Sequence, residues 1–330
     1  MHLTQGSSGG RKKILSGWVG ACLVSFLSAA GGARAHNHPP ATILVVQSES
    51  ETAFDEAVGA LSQYLKRDHP NQTARVEVRT LSKLANPDAE LGAAIAQLKP
   101  ALVITLGSQA TAWAQNSIQN IPLLFGMVLD PEAQGIDPAR AKSAMTGVSM
   151  QIPLSDQFMR LKQVLPDVRR VGTVYDMRNE ALVDQARREA TRQGLTLVGN
   201  PVRTPAEVPE AFRGLAGRVD VLWSFPDTTV YSREAAQFIL LFSFRNRLPL
   251  MGFSRGYVRA GALFALYADY KDVGLQLAEV AHEILAGRSP REIPVGPPRR
   301  HALALNMRVA DALGTKIPAR AISTAEETFK

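Results

Sequence analysis

The segment Gly252-Phe253-Ser254-Arg255-Gly256 comes nearest to a catalytic signature in this 330-residue chain. A serine with glycines two residues to either side is the nucleophile-elbow pattern, in which a sharp strand-to-helix turn projects the hydroxyl toward a base. Asp269, His282 and His301 follow in the order that such a triad uses. Two features oppose this. No His-Gly-Gly-type segment stands upstream to hold an oxyanion, and a strand-like stretch at 262–267 begins where the elbow needs a long helix. Serine hydrolysis through Ser254 stays a remote alternative, and no enzyme is expected.

Metal and nucleotide chemistry have thinner support. The six histidines form no spaced ligand set, and neither a Walker loop nor a Gly-x-Gly-x-x-Gly occurs, so no cofactor is expected. One arrangement stands apart. If the chain is cleaved after Ala35, it begins His36-Asn37-His38, and an amine, two amides and the third-residue imidazole make the square-planar nitrogen set that Cu²⁺ or Ni²⁺ prefers. The competing reading of His36 and His38 is a polar leader.

A different chemistry emerges from the residues that follow apolar runs. Thr42 to Val46 and Ala101 to Leu106 are continuous apolar, β-branched stretches, as expected of strands buried on both faces of a parallel sheet. Further strands are expected at 76–78, 121–128, 170–175, 195–198, 219–224 and 248–253, with helical spacing between them. Strand-helix alternation with short connections specifies α/β architecture with doubly wound parallel sheets. The pattern runs twice, joined near 147–152, which predicts two lobes. In open α/β sheets ligands bind beyond the carboxyl ends of the strands. That rule selects Gln47 and Ser48, Gly107 and Ser108, Asp130, Tyr175 and Asp176, Asp227, and Ser254. Ser108 opens a helix, where free N–H groups favour an anion. Each also has an ordinary alternative as a helix cap. Asp227 is the residue expected to pair with a ligand ammonium.

The N-terminus carries its own message. Arg11, Lys12 and Lys13 precede an apolar run from Ile14 to Ala30, which ends in Gly31-Gly32-Ala33-Arg34-Ala35. Basic, apolar and small-residue regions in that order form a secretory signal peptide, expected over 1–35. The single cysteine, Cys22, lies inside the apolar run, and the run continues past it, which opposes lipidation. The segment holds four basic residues and no acidic one, so without it the net charge of +7 falls to +3. Most of the basic excess is therefore targeting signal, and no nucleic-acid partner is expected.

At its strand ends the sequence resembles the ABC-transporter substrate-binding protein family of the type I periplasmic-binding fold. The resemblance runs through Leu106-Gly107-Ser108-Gln109-Ala110, Ile121 to Phe125, Asp130-Pro131 and the hinge-like Thr146-Gly147-Val148-Ser149. It continues through Val171 to Tyr175, Ala260 to Leu263, Tyr267-Ala268-Asp269-Tyr270, Val273-Gly274 and Asn306-Met307. It implies two lobes joined by three crossovers, closing over a small polar solute. It also implies periplasmic delivery to a membrane permease and ATPase. Members bind amino acids, aromatic ones included, or other small polar solutes. Three places depart from the family pattern: Phe225-Pro226-Asp227-Thr228, Asp176-Met177-Arg178-Asn179 and Lys271. Presentation of the solute to a membrane receptor is the alternative role.

The expectation is therefore a monomeric two-lobed α/β capture protein. Lobe 1 comprises 36–148 and 268–290, and lobe 2 comprises 149–267 and 291–330. Ligand contacts are expected from Ser48, Ser108, Gln109 and Asp130 on the first lobe and Tyr175, Asp176, Asp227 and Ser254 on the second, with Asp269 at the crossover.

Overall fold

Residues 43–46 and 102–106 include no charged side chain that could face water, and such runs are stable only when both faces of their sheet are covered. They become buried strands. In the computed structural model, which describes residues 40–67, 74–132 and 134–330, β1 (Thr42–Gln47) is followed by α1 (Thr52–Arg67), β2 (Arg75–Thr80) and α2 (Pro87–Leu98). Then come β3 (Leu102–Leu106), α3 (Ser108–Ser117), β4 (Leu123–Val128) and β5 (Met145–Ser149). The five strands pair in the order β2-β1-β3-β4-β5, parallel throughout. The signal-peptide segment 1–35 with Cys22, and the pair His36 and His38, lie outside the described residues.

A second round begins with α4 (Leu154–Val164), β6 (Arg170–Asp176), α5 (Glu180–Arg192), β7 (Thr196–Val202) and α6 (Val208–Arg213). It continues through β8 (Val221–Trp223), α7 (Arg233–Arg245), β9 (Leu250–Gly252), α8 (Arg255–Ala260) and β10 (Phe264–Ala268). After α9 (Tyr270–Leu285) come β11 (His301–Asn306), α10 (Met307–Leu313), α11 (Ala319–Ser323) and β12 (Glu327–Phe329). The second sheet has the order β12-β11-β10-β9-β8-β6-β7.

Two parallel-sheet α/β lobes result, with two differences from the sequence reading. Thr146-Gly147-Val148-Ser149, expected as hinge, belongs to the fully buried β5. Its small residues hide a strand that the apolar-run criterion misses, and Gly147 is required there because a Cβ would stand 2.4 Å from the Phe125 ring. The second sheet is also not wholly parallel, since β10 and β11 pair antiparallel.

The chain passes between the sheets after β5, after β10 and before β11. After the second passage α9 packs back on the first sheet, where Val273, Leu277, Ala278 and Ala281 share a core with Ile43, Val45, Leu61 and Leu65. Gly274 lets α9 approach α1: a Cβ there would lie 2.2 Å from the Ala57 carbonyl oxygen. On the third passage Gly296 bridges to Val148, and Thr146 Oγ1 donates to the Ile293 carbonyl at 2.6 Å. The first sheet thereby gains a neighbour from beyond residue 290, where the sequence reading had drawn the lobe boundary.

Candidate functional site

Between the two sheets lies a cleft of about 1790 Å³. Its walls come from the segments after β4 (Leu129 to Glu132 and Gln134 to Asp137), the crossover from β5 to α4 (Gln151 to Ser155) and the turn after β6 (Arg178, Asn179). The turn after β8 (Pro226 to Thr228), Phe253 after β9 and the returning crossover (Val295 to Pro297) complete it. These are mostly carboxyl ends of strands, the position the α/β rule assigns to ligands.

The cleft deepens into an apolar recess of about 60 Å³. Leu129 and Asp130 bound it from the first lobe, Met150, Gln151, Ile152 and Leu154 from the crossover, and Leu182, Trp223, Phe225, Phe253 and Leu266 from the second. Trp223 is fully buried, 5.2 Å from Phe158 and 5.0 Å from Phe225 between ring centroids. Its indole N–H donates to Gln157 Oε1 at 2.8 Å, while Gln157 Nε2 donates to the Ile152 carbonyl at 2.8 Å. Both polar atoms of Gln157 are thus engaged within the protein, which leaves the recess largely apolar for an incoming group.

Above the recess, the turns after β6 and β8 interlock. Asp227 Oδ2 accepts from the Asp176 N–H at 2.8 Å and from Asn179 Nδ2 at 2.9 Å. Its Oδ1 accepts from the N–H groups of Thr229 (3.0 Å) and Val230 (3.1 Å). Asp176 in turn accepts from the Arg178 backbone N–H (2.9 Å), Arg178 Nε (2.9 Å) and Nη2 (2.7 Å), and the Thr229 hydroxyl (2.6 Å). The Arg178 guanidinium, helped by the Thr229 hydroxyl, holds the Asp176 carboxyl well below the usual carboxylate range.

Of the residues expected at the site, Asp130 and Asp227 line the cleft. With four hydrogen bonds on its two oxygens, Asp227 has no lone pair left for a ligand ammonium; its part is to lock the two turns together. Asp176 is buried and spent on Arg178. Tyr175 is a core residue whose hydroxyl donates to Glu180 Oε2, and burial raises its pKa. Ser48 Oγ donates to the Leu106 carbonyl and accepts from the Ala110 N–H, tying β1 to α3. Ser108 begins α3, and Gln109, next to it, is exposed; neither lines the cleft.

Ser254 and Asp269 are helix caps. Ser254 has ordinary extended backbone (φ −152°) and accepts from the Tyr257 N–H, so the strained elbow that a nucleophilic serine needs is not present at this residue. Asp269 accepts from the N–H groups of Lys271 and Asp272. Sequence reasoning passed over Trp223 and Phe253 and met Arg178, Asn179 and Phe225 only as members of segments that depart from the family pattern. The strand-end rule pointed within two residues of most of them but favoured small hydroxyls and carboxylates, the residue types that also cap helices. Among the described residues no group of three or more His, Cys, Asp or Glu is placed to hold a metal ion.

A family model for ABC transporter substrate binding proteins matches residues 42–329. The chain belongs to that family. Proteins of this substrate-binding family are extracytoplasmic solute binders, not enzymes. Among relatives, a tyrosine-binding protein of Clostridioides difficile (strain R20291) is 24% identical over 309 residues, covering 86% of this chain and 87% of the relative. Among solved structures, the ligand-free, open form of a substrate-binding protein with adhesive properties from Clostridium difficile superposes with a TM-score of 0.71. It is 21% identical, covering 88% of this chain and 100% of that one. An ABC domain from Streptococcus pneumoniae in complex with L-Trp gives a TM-score of 0.63 at 19% identity, again covering 88% of this chain and 100% of the other. Both likenesses show the fold.

Proposed function

We propose that this chain is the extracytoplasmic solute-binding component of an ABC-type uptake system. It acts as a monomer, capturing an amino-acid-like solute by hinge closure and delivering it to a membrane permease and ATPase. The observation that carries this reading is the recess at the hinge end of the cleft, whose apolar walls come from both lobes and the crossover between them. A ligand group seated there touches both lobes and so has higher affinity for the closed form, which is the condition for a ligand to shift the equilibrium toward closure. Tyrosine and L-Trp, named for two of the similar proteins, are of the matching class: a zwitterion with a largely apolar, aromatic side chain.

Export is read from the basic, apolar and small-residue order of residues 11–35, and no described helix is long and apolar enough to cross a membrane. A periplasmic location after cleavage behind Ala35 follows from that reading.

A thermal-shift screen of the chain from His36 with amino acids, purines and small organic acids tests the assignment. At a hundredfold excess over Kd a ligand stabilises the native state by about 2.7 kcal/mol, enough to move Tm by several degrees. Amino acids with apolar side chains are expected to produce the shift. Stabilisation by purines or organic acids alone would contradict the amino-acid reading.

A further inference from the structure

We infer that Arg178 is the carboxylate anchor of the cleft. This rests on the amino-acid reading above and specifies how the solute's charged end is held.

Arg178 offers five N–H donors in a fixed planar fork. Three of them are spent inside the protein. Nε donates to Asp176 Oδ1 at 2.9 Å, and Nη2 donates to Asp176 Oδ2 at 2.7 Å and to Thr229 Oγ1 at 3.0 Å. The two hydrogens of Nη1 have no acceptor among the described residues, and the side chain, 78% exposed, lines the cleft. A long cationic side chain on a cleft wall ordinarily sweeps through many rotamers, and ordering it opposes binding. Here the fork is fixed before the solute arrives, because its anchor, Asp176, is itself only 4% exposed and backed by Thr229. The charge thus stands ready for an anionic oxygen, and an oriented guanidinium makes stronger hydrogen bonds to carboxylate than a neutral donor does.

Two observations select a carboxylate borne by a zwitterion over a polyanion such as a phosphate ester. The cleft is lined by five carboxylates (Asp130, Glu132, Asp137, Glu189 and Asp227) and three arginines (Arg140, Arg178 and Arg188), a balance that repels a dianion. Asn179, the next residue along the wall, gives its Nδ2 to Asp227 and keeps Oδ1 as an acceptor beside the anchor, suited to an ammonium group.

The test is calorimetry with matched probes: L-tyrosine against tyramine, L-tryptophan against tryptamine and L-leucine against 3-methylbutylamine, on the wild type, Arg178→Met and Arg178→Lys. The wild type is expected to bind the amino acids at least about tenfold more tightly than the amines, in line with loss of one charge-assisted interaction. Arg178→Met should erase that difference in a protein that still folds, with Tm lowered by the loss of the Asp176 partner, and Arg178→Lys, which keeps the charge but not the fork, should fall between. An Arg178→Met variant that keeps wild-type affinity overturns the anchor and leaves the amino-acid reading standing. Equal binding of acid and amine by the wild type does the same. A wild type that binds none of the six probes overturns the amino-acid reading together with the anchor.

Discussion

Asp176 holds Arg178 by the Nε and Nη2 edge of its guanidinium, at 2.9 and 2.7 Å, from a position almost closed to solvent. A residue two places along the chain is thereby aimed into the cleft rather than left to wander over its wall. The Asp176 carboxylate reaches the solute only through what it positions.

The first expectation concerns pH. The Asp176 pKa is lowered in the folded state, so its contribution to stability is complete above the unfolded-state value of about 3.9 and is lost as pH falls through the lower folded-state pKa. The carboxyl carbon of Asp176, followed by NMR, should titrate below the ordinary aspartate range. In Arg178→Met, which removes the main cause, the midpoint should move upward. A normal midpoint in the wild type would mean the pair does not form.

Asp227 is expected to act through structure. Asp227→Asn keeps one oxygen acceptor but puts an amide against N–H donors, so two of the bonds to Thr229, Val230, Asp176 and Asn179 are lost. A buried unsatisfied donor costs about 1–3 kcal/mol, which should appear as a lower Tm. Solute affinity should fall only as far as the β6 and β8 turns loosen. A large loss of affinity with Tm unchanged would return Asp227 to direct ligand contact.

The close approach of α1 and α9 supplies a test of the scaffold. Gly274→Ala places a methyl group 2.2 Å from the Ala57 carbonyl oxygen, and backbone cannot move aside as a side chain can. Overpacking of this kind costs about 1–3 kcal/mol. Tm should fall while the solute affinity of the folded protein is retained, because the contact is remote from the residues lining the cleft.

Ser254→Ala should be nearly silent for binding. The hydroxyl accepts from the Tyr257 N–H at the start of α8, so its loss removes a cap worth about 1 kcal/mol. A fluorophosphonate should leave the wild type unlabelled at Ser254. Labelling that vanishes in Ser254→Ala would revive hydrolysis.

The architecture was legible because buried parallel strands leave an unmistakable mark: the runs at 42–46 and 101–106 are apolar on both faces, and only a covered sheet accommodates them. β5 was missed because its Thr, Gly and Ser are small enough to pack while looking like loop, and β11 because its antiparallel return beside β10 follows no strand-helix-strand rhythm. The site was less legible for a physical reason. Serine and aspartate after a strand serve ligands and helix caps equally well, and the distinction lies in long-range partners. Asp227 receives bonds from residues 51 and 48 positions away, and Trp223 reaches Gln157 across 66. No local pattern carries that information, whereas the neighbouring aromatic residues Trp223, Phe225 and Phe253 were visible and undervalued.

Capture by closure over the cleft is the central claim, and small-angle X-ray scattering of the chain from His36 tests it most directly. With a saturating amino-acid ligand from the thermal-shift screen, the radius of gyration should fall as the two lobes come together. A ligand that binds, by calorimetry, and leaves the radius of gyration unchanged would contradict it.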